Sequence, residues 1–332
     1  MKLSLAARAV AWFLVFALGC GGQGGGASSA SGSAGARGAS ASSGGALPAP
    51  TQPAGATLAP LPAGAELRVG VTLHPYYSWT RNVVGDAAGV TVTAVLPGDV
   101  DVDNYTPKPE DVAKLGKLDA LVINGIGHDD FILDMIKASG NEKLIVIRVN
   151  DGTPTIKSAH GGSVNSHTFI SFTNAIQQTY AIEKVLAALR PDLAQKFADN
   201  AAAYAKRLRE IKADGAKRLA SVKDPRVVTV HDGYSYFCQE FGVEVVGVVE
   251  PAHGLTPSAE ELGGMIELLK KEKIQVVLSE ETFPDKLLKT LVEGTSARVY
   301  TISHVATGEY TPDKFELEMR KNVDTLVEAL TK

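Results

Sequence analysis

The chain has 332 residues, 45% of them hydrophobic, with 33 basic and 37 acidic side chains and a formal charge of −4. That length allows two lobes rather than one small domain, and an acidic balance argues against a nucleic-acid partner. Two cysteines make no disulfide framework, and Cys238 reads as a small core residue.

Residues 1–20 carry Lys2 and Arg8, then the apolar run Ala9–Leu18, then Gly19-Cys20. This reads as a secretory signal whose apolar part is too short to span a membrane. A small residue before Cys20 predicts lipoprotein-type cleavage, with Cys20 as the acylated first residue. Residues 21–64 contain 36 Gly, Ala, Ser or Pro among 44, and only Arg37 is charged. Such a segment buries too little to fold and reads as a flexible tether. Residues 65–332 keep 30 of the basic and all 37 of the acidic side chains, so the expected folded part carries −7.

Strands are predicted at Leu67–Leu73, Val90–Leu96, Ala120–Ile123 and Leu144–Val149, then at Val227–Val230, Val243–Val248, Val276–Ser279 and Val299–Ile302. Most are unbroken apolar runs, as buried parallel strands should be. Helices are predicted between them at Trp79–Gly85, Lys108–Leu115 and Phe131–Ala138, and again at Tyr236–Phe241, Ser258–Lys271, Pro284–Val292 and Thr311–Leu330. Between the two groups, Asp192–Val222 has apolar residues at Leu193, Phe197, Ala201, Tyr204, Leu208, Ile211, Leu219 and Val222, one face of a long helix. Only Gly215 interrupts its propensity, at about 1 kcal/mol against Ala. The expected architecture is α/β: an N-terminal lobe over residues 65–173, connecting helices with a long strut over 174–223, and a C-terminal lobe over 224–332. Each lobe would hold a mainly parallel four-stranded sheet and its own core, with a cleft between the lobes.

Seven histidines follow strands: His74, His128, His160, His167, His231, His253 and His304. None falls in a predicted helix. The other two strands are followed by carboxylates, Asp99, Asp101 and Asp103, and Glu280-Glu281. Ligands of open parallel sheets bind beyond the carboxyl ends of strands. Imidazole and carboxylate gathered there suit a divalent transition metal, zinc first and manganese second. Signatures of common hydrolases and nucleotide-binding loops are absent, and Gly125-Ile126-Gly127 lacks the third Gly of a dinucleotide loop.

The stretches LPGDVDVDNYTPKPED (96–111), NSHTFISFTNA (165–175) and VTVHDGYSYFCQEFGVEVV (228–246) resemble the zinc/manganese solute-binding proteins of bacterial ABC importers. The resemblance runs from about Arg68 to Leu330. It implies two lobes bridged by one long helix, and one metal ion in the cleft carried as transported ligand to an ABC-type permease. Together with the signal and Gly19-Cys20, the expectation is a monomer without catalysis, held in the cell envelope through lipidated Cys20. Carried over by position, His167 and His231 are ligands. Asp103 stands where the family usually has its first His. His304 stands at the last ligand's place, with Glu280 in reserve. A receptor for an organic ligand or metal chelate competes with this reading, since Tyr76, Tyr77 and Trp79 could line a cleft. A metal-dependent hydrolase is the remaining alternative.

Overall fold

Strands β1 (Leu67–Val71), β2 (Val90–Ala94), β3 (Ala120–Ile123) and β4 (Ile145–Arg148) pair in parallel in the order β2-β1-β3-β4. Strands β5 (Arg226–Thr229), β6 (Glu244–Val248), β7 (Val276–Ser279) and β8 (Arg298–Thr301) repeat that order as β6-β5-β7-β8. The inner strands β3 and β7 are buried at every residue, which is why their sequences are continuous rather than alternating. The computed structural model describes residues 58–62, 64–100, 102, 105–161, 164–251 and 254–332. Cys20, Asp101, Asp103 and His253 lie outside the described residues.

Helices α1 (His74–Val84), α2 (Pro109–Leu115) and α3 (Ile132–Ser139) connect the first four strands. The next two, α4 (Phe172–Leu189) and α5 (Ala194–Leu219), join the halves. In the second half come α6 (Ser235–Glu240), α7 (Ala259–Glu272), α8 (Asp285–Val292) and α9 (Lys314–Thr331). A capping box starts α7 at Ser258, the first residue of the helix predicted there: Glu261 N donates to Ser258 Oγ, and Ser258 N to Glu261 Oε2. The two-sheet α/β class and its bridging helix are as expected.

The bridge is α5, unbroken over 26 residues and so about 39 Å long. Its stripe from Phe197 to Leu219 is buried, and it packs on α1, α4 and α9. Gly215 is the close-approach point. A Cβ there would lie 2.6 Å from Val323 Cγ1 on α9 and 2.8 Å from Phe241 Cε1.

Three expectations need correction. First, α1 begins at His74, not Trp79, because Pro75 occupies the first turn, where a missing amide hydrogen costs nothing. Tyr76 and Trp79 are therefore fully buried core residues and line no cleft. Second, the lobes do not have separate cores. One apolar cluster runs from Leu67 and Trp79 through Phe197 and Leu208 to Phe237, Leu278 and Phe315. A smaller one, with Val228, Val277, Leu269 and Leu291, lies under α7 and α8. Third, the tether is already seated at its end: Leu58 and Leu61 pack on the core, and Leu61 N donates to Leu189 O at 2.9 Å. Cys238 is buried as expected, and burial pushes its thiol up to about 12. Among the described residues, no helix is long and apolar enough to cross a membrane.

The loop after β8 belongs to the second sheet by sequence but lies on the first half of the chain. Gly308 N donates to Gly98 O at 2.7 Å, and His74 Nε2 lies 2.8 Å from Gly308 O. Ser78 Oγ donates to Thr311 O, and Asn82 Nδ2 to Pro312 O. The Tyr310 ring stacks on His74 at 3.8 Å.

Candidate metal centre

Both sheets have their switch in strand order between two central strands, β1 and β3 in the first, β5 and β7 in the second. Loops leaving the carboxyl ends at such a point diverge and leave a crevice. His128 follows β3, and His231 follows β5 by two residues. His167 comes from the long connection between β4 and α4, and His304 from the loop after β8.

One ring nitrogen from each of His167, His231 and His304 lies within 4.8 Å of the others. Ring centres are 4.7 Å apart for His167 and His231, 5.2 Å for His167 and His304, and 5.0 Å for His231 and His304. The Nε2 atoms of His167 and His231 are 3.1 Å apart. His167 and His231 are buried, and His304 is half-buried.

The outer nitrogens decide what the inner ones carry. Nδ1 of His167 lies 3.0 Å from Asn165 Oδ1, an atom that only accepts, so Nδ1 bears the hydrogen. Nδ1 of His231 faces Glu250 Oε2 at 3.4 Å, a carboxylate that likewise draws the hydrogen to that side. With the hydrogen on Nδ1, each neutral ring turns its Nε2 lone pair inward; a proton held between the two Nε2 atoms is the other arrangement of the same 3.1 Å contact. Two lone pairs at 3.1 Å repel unless a positive charge lies between them. An imidazole backed by a carboxylate or amide oxygen is the usual support of a metal-bound histidine.

His304 is held through its neighbours. Asn322 on α9 pins Ser303 from both sides, accepting from Ser303 N at 2.7 Å and donating to Ser303 O at 2.8 Å. The Ser303 hydroxyl donates to Glu318 and accepts the Val305 amide. Val305 has φ 60°, strained for a β-branched residue. Gly233 lets the backbone pass the site: a Cβ there would lie 2.7 Å from His231 Cδ2 and 2.9 Å from His304 Nε2.

His128 stands beside this triad, its ring centre 4.9 Å from His167 and 6.4 Å from His304. Its loop is tied down by Asp129, whose carboxylate accepts from Thr72 Oγ1 at 2.6 Å, Asn124 N at 2.8 Å and Gly125 N at 3.2 Å. Burial raises the Asp129 carboxyl above its usual range, with these bonds opposing it. Asn124 Nδ2 also donates to Ser166 O, so the His128 and His167 loops are joined.

A cavity of about 450 Å³ borders the triad, walled by His128, His304, Glu250, Glu280, Glu281 and Phe283 among others. Glu280 accepts from Thr282 Oγ1 at 3.1 Å and from the Tyr234 hydroxyl at 3.4 Å. Neither Glu280 nor His128 is grouped with the three nitrogens, whereas His304 is. His74 and exposed His160 are not in that group either. Asp103 lies outside the described residues. Asn165, Gly233, Glu250, Ser303 and Asn322 were not singled out from the sequence, and only the run Asn165-Ser166-His167 hinted at one of them.

The profile of the family described as zinc-uptake complex component A, periplasmic (ZnuA), matches residues 69–329. A solved structure of the SBP FpvC of Pseudomonas aeruginosa in complex with Mn²⁺ is 41% identical, with a TM-score of 0.75 over 80% of this chain and 98% of that one. FpvC with a Ni²⁺ ion gives 41% and 0.74 over 80% and 97%. A putative metal-binding protein of Treponema pallidum is 23% identical over 80% of this chain and 88% of its own. The zinc-binding lipoprotein AdcA of Streptococcus pneumoniae is 25% identical over 69% of this chain and 48% of its own. The chain thus spans about half the length of AdcA.

Proposed function

The chain belongs to the family of periplasmic zinc-uptake component A proteins, and from that premise we propose that it captures one divalent metal ion outside the cytoplasm and hands it to an ABC importer. Zinc is the first choice of cargo and manganese the second. His167, His231 and His304 hold the ion in this reading, and no substrate is turned over. The carrying observation is the pair of Nε2 atoms 3.1 Å apart with both outer nitrogens facing acceptors. Zinc ligands at 2.0–2.1 Å in a tetrahedron stand about 3.4 Å from one another, so the two rings need to part only slightly to admit the ion. Glu250 behind His231 offsets part of the cation's charge.

The protein acts as a monomer beside a membrane permease, tethered through acylated Cys20. A lipid-free mature N-terminus in a mass spectrum, or unchanged membrane partition of Cys20→Ser, would remove the anchor and leave the metal reading intact.

The cavity beside His304 favours a second reading, a receptor for a metal chelate. Its 450 Å³ exceeds what a bare ion needs, since a single water occupies about 30 Å³. Calorimetric titration of metal-free mature protein with zinc in chelator-free buffer tests the first reading. One ion per chain and a raised melting temperature are expected, with about 2.7 kcal/mol of stabilisation at a hundredfold excess over Kd. Absence of binding without an added organic ligand would favour the chelate receptor.

A further inference from the structure

We infer that His128 is the fourth ligand of the captured ion, so that the centre consists of four imidazoles and disfavours manganese. The inference rests on the metal-binding reading above and adds which group fills the last corner. Three nitrogens from His167, His231 and His304 form one face of a coordination sphere. The remaining corner opens on the cavity, whose wall His128 and His304 share.

Four imidazoles, each bound through one nitrogen at 2.0–2.1 Å, place their ring centres about 5 Å apart. The triad's separations are 4.7, 5.0 and 5.2 Å, and His128 is 4.9 Å from His167. Its 6.4 Å to His304 is longer, and His128 has to move in by about 1.4 Å to complete a sphere of that size. The rest of the surroundings is built for that position. His128 is buried, and its ring lies 4.9 Å from that of Phe169. Gly125 and Gly127, at φ 76° and 119°, let the loop turn the ring toward the cavity. Asp129 fixes the turn from behind, and Asn124 locks it to the residue before His167. A loop this constrained holds its imidazole ready instead of recruiting it.

Among the described residues Glu280 is a competing oxygen donor on the same cavity wall; its Oε1 accepts from Thr282, and the Tyr234 hydroxyl lies nearer to Ile302 O than to its Oε2. An all-nitrogen sphere suits zinc, nickel and copper, whereas manganese prefers oxygen donors.

The test compares wild type, His128→Ala, His167→Ala and Asp103→Ala by competition titration with zinc and with manganese, and by the visible spectrum of the cobalt(II)-loaded protein. Zinc affinity should fall at least tenfold in His128→Ala, the zinc-over-manganese ratio should fall with it, and the four-coordinate cobalt bands should weaken. A loss of zinc affinity in Asp103→Ala with wild-type affinity in His128→Ala would give the last corner to Asp103 and overturn the assignment. X-ray absorption of zinc-loaded wild type should count four imidazoles, a result that needs no variant to fold. Three imidazoles with a carboxylate, or wild-type affinity and spectrum in His128→Ala while His167→Ala loses the ion, would overturn the assignment and leave metal capture standing. Wild type that binds no ion would overturn both.

Discussion

Oδ1 of Asn165 lies 3.0 Å from Nδ1 of His167 and 2.9 Å from the His167 amide nitrogen, so a single oxygen fixes both the backbone and the ring of the residue it serves. The Asn165 amide group in turn donates to Asp232 O, one residue beyond His231. The orientation of one histidine is thereby linked to the loop that carries another. Asn165→Ala should cost about 10- to 100-fold in zinc affinity, the usual cost of removing such a support. Asn165→Asp, which keeps the acceptor, should retain more of it. Competition against a chromophoric chelator measures both.

Gly233 separates folding from binding. In Gly233→Ala the new methyl meets the imidazoles of His231 and His304, which can rotate away but then no longer converge. Metal-free Gly233→Ala should melt within a few degrees of wild type while binding zinc at least about tenfold more weakly, or 1.4 kcal/mol. Paired melting curves and titrations check this.

At Gly215 a helix-favouring change should harm the fold. Alanine gains about 1 kcal/mol of helix propensity, but its methyl is driven against Val323 and Phe241. Overpacking costs about 1–3 kcal/mol, so Gly215→Ala should show a net loss in urea denaturation.

His74 gives metal-free protein a pH dependence. Burial lowers its pKa from the ordinary 6.5. The hydrogen bond to Gly308 opposes that shift, Lys314 adds to it, and Glu318 opposes it. The folded state therefore resists protonation that the unfolded chain accepts. This contribution is complete above about pH 6.5 and is lost as pH falls through the lower, folded-state value. His74→Gln keeps a donor for Gly308 without titrating, so its melting temperature should fall less steeply between pH 7 and pH 5.

The strands were legible because short β-branched runs such as Ala120–Ile123 and Val276–Ser279 have no other use in a chain of this composition. The start of α1 was not, since the aromatic cluster after Pro75 reads equally well as a binding face and as core. The continuous core escaped for a related reason: periodicity says which face of α5 is buried, not that Phe197 and Phe315 share one cluster. At the site, strand-end position and the quoted resemblance brought forward His167, His231 and His304. Asn165, Glu250 and Asn322 reach them from other segments, and nothing local in their sequence marks them. His128 was visible only as one of seven histidines, because its distinguishing feature is the shape of the Gly125–Asp129 turn.

The loop after β8 gives the molecule a spine. Four hydrogen bonds and a ring stack sew residues 308–312 to α1 and to Gly98. Each such bond contributes about 1 kcal/mol net, so the loop is held firmly on α1. The same loop, through Ser303, His304, Ala306 and Thr307, also walls the cavity that Glu250, Glu280 and Glu281 line. The seam that ties the two halves of the chain together thus continues directly into the wall that presents His304 beside three carboxylates.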